Sequence, residues 1–184
     1  SDYRILNQEP FEMCISYIIS QNNNVKRISK SIEVFCNKYG NKVLFVQFLK
    51  SWVTGELNSL KLFENVEVLR AKATAKFTFQ MTEEEKAQVT KDHLALFEVV
   101  KAKCVNEKID LLILDEIVGA CDRGVFDKEA LVDFLKNKPQ ELEVVMTGRN
   151  PFPELIELAD YVSEVCKRKH PKDKGIMARK GIER

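Results

Sequence analysis

Asp115 and Glu116 follow four aliphatic residues, Leu111-Leu112-Ile113-Leu114. A run that apolar reads as a strand buried on both faces of a parallel sheet. Its carboxyl end is where open α/β sheets bind their ligands. Two carboxylates there either hold a hard cation, directly or through water, or cap the next helix. Their pairing behind an aliphatic run favours the cation. Thr147-Gly148-Arg149 is a second candidate, again behind a short apolar run. Gly148 lets the backbone turn tightly, and the Arg149 guanidinium beyond it suits a phosphate, or else a surface ion pair. The Asp115 strand belongs in a nucleotide-binding sheet, yet the glycine-rich phosphate loop that should precede it is missing. The first glycine is Gly40, and no Gly-x-x-x-x-Gly-Lys-Ser/Thr occurs anywhere.

The elements that position these residues are legible as alternating strands and helices. Residues 42–48, 66–69, 109–115, 143–147 and 160–165 are short apolar runs and predict strands. Thr82, with Glu85 three residues on, predicts a capping box and a long helix to about residue 105. Residues 127–136 and 153–159 predict shorter helices. The alternation predicts a doubly wound α/β fold with one compact domain. Residues 25–39, with Ile28, Ile32, Phe35 and Cys36 inward, predict a helix that Gly40 ends. Residues 11–20 fit either a helix or a strand, because periodicity cannot arbitrate so short a run.

The chain has 184 residues, enough for one domain with a real core, and a formal net charge of +1. That balance gives no global attraction to nucleic acid or acidic membranes. No apolar run approaches the ~18 residues of a membrane span. No signal peptide is visible, and a first residue of Ser1 fits a trimmed chain. The cysteines are Cys14, Cys36, Cys104, Cys121 and Cys166, none paired at metal or redox spacing. With His93 and His170 the only histidines, a zinc site is not expected, and buried free thiols in a reducing cytoplasm are. Basic residues concentrate between Lys167 and Arg184, which by composition alone reads as a solvated tail.

Several separated motifs, in order, carry a resemblance. They are Val46-Gln47-Phe48-Leu49-Lys50, Gly55-Glu56, Phe77-Thr78-Phe79, Leu111 through Ile117, and Thr147-Gly148-Arg149. Glu157 through Glu164 and Lys169-His170-Pro171 through Gly181-Ile182-Glu183 complete the set. From residue 41 to 184 the chain resembles the ATP:corrinoid adenosyltransferases of the cobalamin pathway. The resemblance implies a P-loop-type α/β fold, a homodimer, a magnesium ion, ATP and a corrinoid. It implies attack of cobalt(I) on the 5′ carbon of ATP with release of triphosphate. Asp115 and Glu116 would hold magnesium, and Arg149 would meet phosphate. Phe77 and Phe79 would lie against the corrin, where excluding the lower axial ligand eases reduction of cobalt(II); their alternative is plain core packing. Many members carry tryptophan where this chain has Phe79. Lys169, His170 and Arg179 would close around nucleotide and corrinoid, making the basic tail face the site. Arg184 stands where an aromatic residue is common.

Residues 3–40 resemble something else. Asn7-Gln8-Glu9-Pro10-Phe11-Glu12 and Ile15 through Ile28, with the turn Gln21-Asn22-Asn23-Asn24, are similar to a helical segment of 8-oxoguanine DNA glycosylases. In that family the asparagine turn enters the duplex beside a flipped base. The glycosylase's helix-hairpin-helix, catalytic lysine and catalytic aspartate have no counterpart here, so base excision and DNA binding by this segment alone are not expected.

The two resemblances meet at a register in which residues 21–28 fall on the phosphate loop. This implies a chimera in which a foreign segment replaces the first strand, loop and helix. Deliberate recombination fits better than natural fusion. The sheet is then expected to want a strand beside residues 111–115, whereas Pro10-Phe11-Glu12 leans residues 11–20 toward a helix. Residues 21–27 lack the glycines that let a backbone turn its N–H groups onto phosphate. Lys26 and Arg27 offer charge at a helix start, or simply a solvated face. The expectation is a cytoplasmic corrinoid adenosyltransferase type with weakened ATP binding and low or absent turnover. The alternatives are an engineered scaffold without catalysis and a DNA-binding remnant.

Overall fold

The computed structural model describes residues 42–49, 60, 63–72, 78–164, 166, 168–169 and 171–177. Strands β1 (Val43–Gln47), β2 (Val66–Arg70), β3 (Leu111–Asp115) and β4 (Glu143–Met146) form one parallel sheet in the order β2-β1-β3-β4. Helices α1 (Glu83–Asn106), α2 (Ile117–Asp122), α3 (Lys128–Asn137) and α4 (Pro153–Leu158) alternate with them. The fold is α/β, as the alternation of apolar runs requires. Residues of β1 and the first four of β3 are buried without exception, the signature of central strands covered on both faces.

The pairing puts the strand order's reversal at one place. From β1 the chain moves outward to β2, then returns to lay β3 on the other flank of β1 and continues to β4. Connections leaving the carboxyl ends of β1 and β3 therefore diverge and open a crevice between them. The last registered pair at that crevice is Gln47 opposite Asp115.

Helix α1 begins at the capping box read from the sequence. Thr82 Oγ1 accepts from the Glu85 N–H at 3.3 Å, and Glu85 Oε2 accepts from the Thr82 N–H at 2.9 Å. Its buried residues, Val89, His93, Phe97, Val100 and Cys104, recur every three or four positions and form one stripe. That stripe meets the sheet through edge-to-face rings. Phe48 contacts His93 at 5.4 Å and Phe126 at 5.6 Å, and Phe97 contacts Phe126 at 5.1 Å and Phe134 at 5.2 Å. Burying one such phenylalanine stabilises the fold by roughly 1.5–3 kcal/mol. At the amino end of the sheet, Lys103 bridges Glu67 and Glu107, and Lys42 pairs with Glu107. The two lysines hold the Glu107 carboxyl down at about 2. This end is tied by charge, and the opposite end is left for ligands.

Two expectations are corrected. Residues 160–164 are exposed and form no strand. Their β-branched composition is a local preference, and a strand also needs a neighbouring edge to pair with. Nor is there room for a further strand beside β3, because β1 and β4 occupy its two flanks. Residues 11–20 and 25–39 lie outside the described residues.

Candidate active site

The site is built where β1, β3 and β4 end. Asp115 is the last residue of β3, and both its carboxylate oxygens are engaged from neighbouring strands. Oδ2 accepts from Gln47 Nε2 of β1 at 3.1 Å, and Oδ1 accepts from Thr147 Oγ1, just past β4, at 2.9 Å.

Glu116 sits in the left-handed region, at φ 63° and ψ 16°, at the point where β3 turns into α2. Its backbone N–H donates to Thr147 Oγ1 at 3.0 Å. Although it occupies the helix's capping position, its side chain makes no capping bond. The helix-cap alternative is thus not the role its carboxylate takes. That carboxylate instead lies over Gly119, where an added Cβ would stand 2.9 Å from Oε2 and 3.3 Å from Nη1 of Arg123.

Thr147-Gly148-Arg149 closes the other side. Thr147 O accepts from the Val118 N–H at 3.2 Å, drawing the end of β4 onto α2. Gly148 has φ +145°, and a Cβ there would stand 2.5 Å from the Gly119 nitrogen and 2.8 Å from Val118 Cβ. Glycine is required on both counts. Arg149 follows with its side chain exposed. Asn150 then anchors the turn by donating from Nδ2 to Asp122 Oδ2 at 3.1 Å. Arg149 thus stands between two residues of constrained backbone.

The donor set fits magnesium. Among the described residues no group of three or more His, Cys, Asp and Glu is placed to hold a metal. Magnesium uses one or two carboxylates and completes its shell with water and substrate phosphate. The buried thiols play no part. Burial pushes Cys121 on α2 and Cys104 on α1 up to about 11, so both are protonated and inert at neutral pH. Cys166 is exposed. His93 is also buried, and its Nδ1 lies 2.8 Å from the Val125 carbonyl, a structural role that leaves no histidine at the crevice among the described residues.

The structure brings together Asp115, Glu116 and the Thr147-Gly148-Arg149 turn. Phe79 stands in a 3-10 turn, Thr78–Gln80, before α1 and is 81% exposed, so the core-packing alternative does not hold for it. Lys169 is exposed on the segment after α4. Phe77, His170, Arg179, Lys26 and Arg27 lie outside the described residues. The sequence reading assigned no role to Gln47 or Thr147. The available signal was a polar side chain at the end of each apolar run, at the same level of the sheet as Asp115.

A parallel α/β sheet with carboxylates where its strand order reverses has the architecture of open α/β proteins that take ligands at that point. Likeness to known proteins makes this specific. The family described as ATP:corrinoid adenosyltransferase BtuR/CobO/CobP matches residues 34–184. The corrinoid adenosyltransferase of Escherichia coli K12 is 34% identical over 149 residues, covering 79% of this chain and 72% of that protein. Corrinoid adenosyltransferase CobA of Salmonella typhimurium is 32% identical over 146 residues, covering 79% of this chain and 72% of that protein. The chain belongs to the corrinoid adenosyltransferase family. A separate likeness, 48% identical over 40 residues, is to the N-glycosylase/DNA lyase of Saccharomyces cerevisiae, and covers 22% of this chain and 11% of that protein.

Proposed function

We propose that this chain is an ATP:cob(I)alamin adenosyltransferase type whose triphosphate site is impaired. The observation that carries the reading is the Asp115–Glu116 pair at the switch point, held from both flanking strands. In the reaction, the cobalt(I) electron pair of the corrinoid forms a bond to the 5′ carbon of ATP, and the carbon–oxygen bond to triphosphate breaks. Charge accumulates on the leaving group, so catalysis depends on cations already in place against it. Magnesium, when bound, supplies two positive charges to the triphosphate. Asp115 and Glu116 would hold that ion, and Arg149 would contact the phosphates. Phe79, exposed ahead of α1, presents an apolar ring to the corrin, with Phe77 beside it in sequence. Lys169, His170 and Arg179 close over nucleotide and corrinoid.

The impairment follows from residues 21–27. Gln21-Asn22-Asn23-Asn24-Val25-Lys26-Arg27 contains no glycine, so its backbone is poorly suited to ring a phosphate with N–H groups. Lys26 and Arg27 supply charge without that cradle. The family match starts at residue 34, and the yeast glycosylase likeness is 40 residues long; both support a foreign segment at the amino terminus. A chimeric scaffold without catalysis is the second reading, and it shares this support. Duplex DNA binding that salt weakens and that Asn22–Asn24 substitution abolishes would favour a glycosylase remnant instead.

The test is formation of adenosylcobalamin from ATP and cobalamin under strong reduction. Slow turnover is expected, abolished by Asp115→Asn. Full turnover would overturn the impairment, and none, with corrinoid still bound, would favour the scaffold. The proposal extends to a cytoplasmic homodimer, as the family resemblance implies; among the described residues no helix is long and apolar enough to cross a membrane. A solution mass of two copies is expected, and a mass of one copy would remove the dimer.

A further inference from the structure

We infer that Thr147 is a positioning residue for the carboxylate pair, acting on both members through a single hydroxyl. The inference rests on the magnesium reading of Asp115 and Glu116. A hydroxyl has one proton to donate and lone pairs to accept with. Thr147 Oγ1 gives its proton to Asp115 Oδ1 at 2.9 Å and receives the Glu116 backbone N–H at 3.0 Å. The first bond sets the plane of the Asp115 carboxylate together with Gln47 Nε2, which takes the other oxygen at 3.1 Å. The second holds Glu116 in a left-handed conformation that a non-glycine residue rarely adopts. With the backbone so held, the Glu116 side chain lies over Gly119 and makes no capping bond to the first turn of α2.

Thr147 is itself fixed. Its N–H donates to Leu114 O and its carbonyl accepts from the Val118 N–H, both at 3.2 Å, so the backbone leaves the hydroxyl little freedom. The residue therefore transmits the position of β4 to Asp115 at the end of β3 and to Glu116 at the junction with α2. Valine at 147 keeps the shape and removes both bonds, and serine keeps both bonds and removes a methyl.

The experiment uses Mn2+ as the probe for the magnesium position, with its affinity read by electron paramagnetic resonance on the full chain, alone and with ATP. Exchange of the Glu116 amide is read in parallel without metal. Thr147→Val is expected to weaken Mn2+ binding about 10–100-fold and to speed Glu116 amide exchange, with Thr147→Ser restoring affinity to within about threefold. Thr147→Ala serves the same purpose should the valine variant fail to fold. Equal Mn2+ affinity in the unaltered and valine chains, or weakening that serine does not restore, overturns the positioning role and leaves the magnesium reading standing. Failure of the unaltered chain to bind Mn2+ even with ATP overturns the magnesium reading and the inference with it.

Discussion

Side chains at the crevice are specified by strand ends. Asp115 and Gln47 face each other because they close two registered strands, and Thr147 reaches Asp115 because β4 ends at the same level. Gly148 is the most constrained of these residues, combining positive φ with no room for a Cβ, which would stand 2.5 Å from the Gly119 nitrogen. The obstructing atom is backbone and cannot swing aside. Gly148→Ala should therefore destabilise the chain by at least the roughly 1–3 kcal/mol of a strained φ, and should move Arg149 away from the crevice. A denaturant titration beside an ATP-binding assay checks both; an alanine variant with unchanged midpoint and unchanged ATP affinity would contradict this account. Asp115, Glu116, Gly148 and Arg149 were legible in the sequence because type and spacing announced them. Gln47 and Thr147 were not, because their importance depends on which strands are neighbours, and a one-dimensional pattern does not state adjacency.

At the scale of elements, α1 shows how local and tertiary signals agree. Its capping box and its stripe of buried residues were both legible, since each depends on spacing along one helix. The stripe carries a titratable group into the core. Burial lowers the His93 pKa below its ordinary 6.5, and the bond to the Val125 carbonyl only partly offsets that. The unfolded chain then binds more protons than the folded one as pH drops. Stability contributed here is fully present above about pH 6.5 and declines as pH falls through the lowered native value. Urea midpoints of the unaltered chain should fall between about pH 7.5 and 5.5, and the fall should be smaller in His93→Gln. An equal fall in both would show that His93 does not govern acid sensitivity. Residues 160–164 mark the limit of element reading, since whether an apolar run becomes a strand depends on an edge being available.

The whole molecule carries the sheet of its family, and the proposal adds that a foreign amino-terminal segment precedes it. Four of the strands and the α/β class followed from alternating apolar runs. What the sequence misjudged was the place of a further strand, because strand order is set by crossovers. We propose that the crevice keeps its cation side and has lost its phosphate cradle. ATP affinity, measured by titration calorimetry with Gln21–Arg27 as they stand and with a Gly-x-Gly-Lys-Gly-Lys-Thr loop grafted there, tests this most directly. Weak binding that the graft tightens by about 100-fold, near 2.7 kcal/mol, is the predicted result. Tight binding in the unaltered chain, or no gain from the graft, would contradict it.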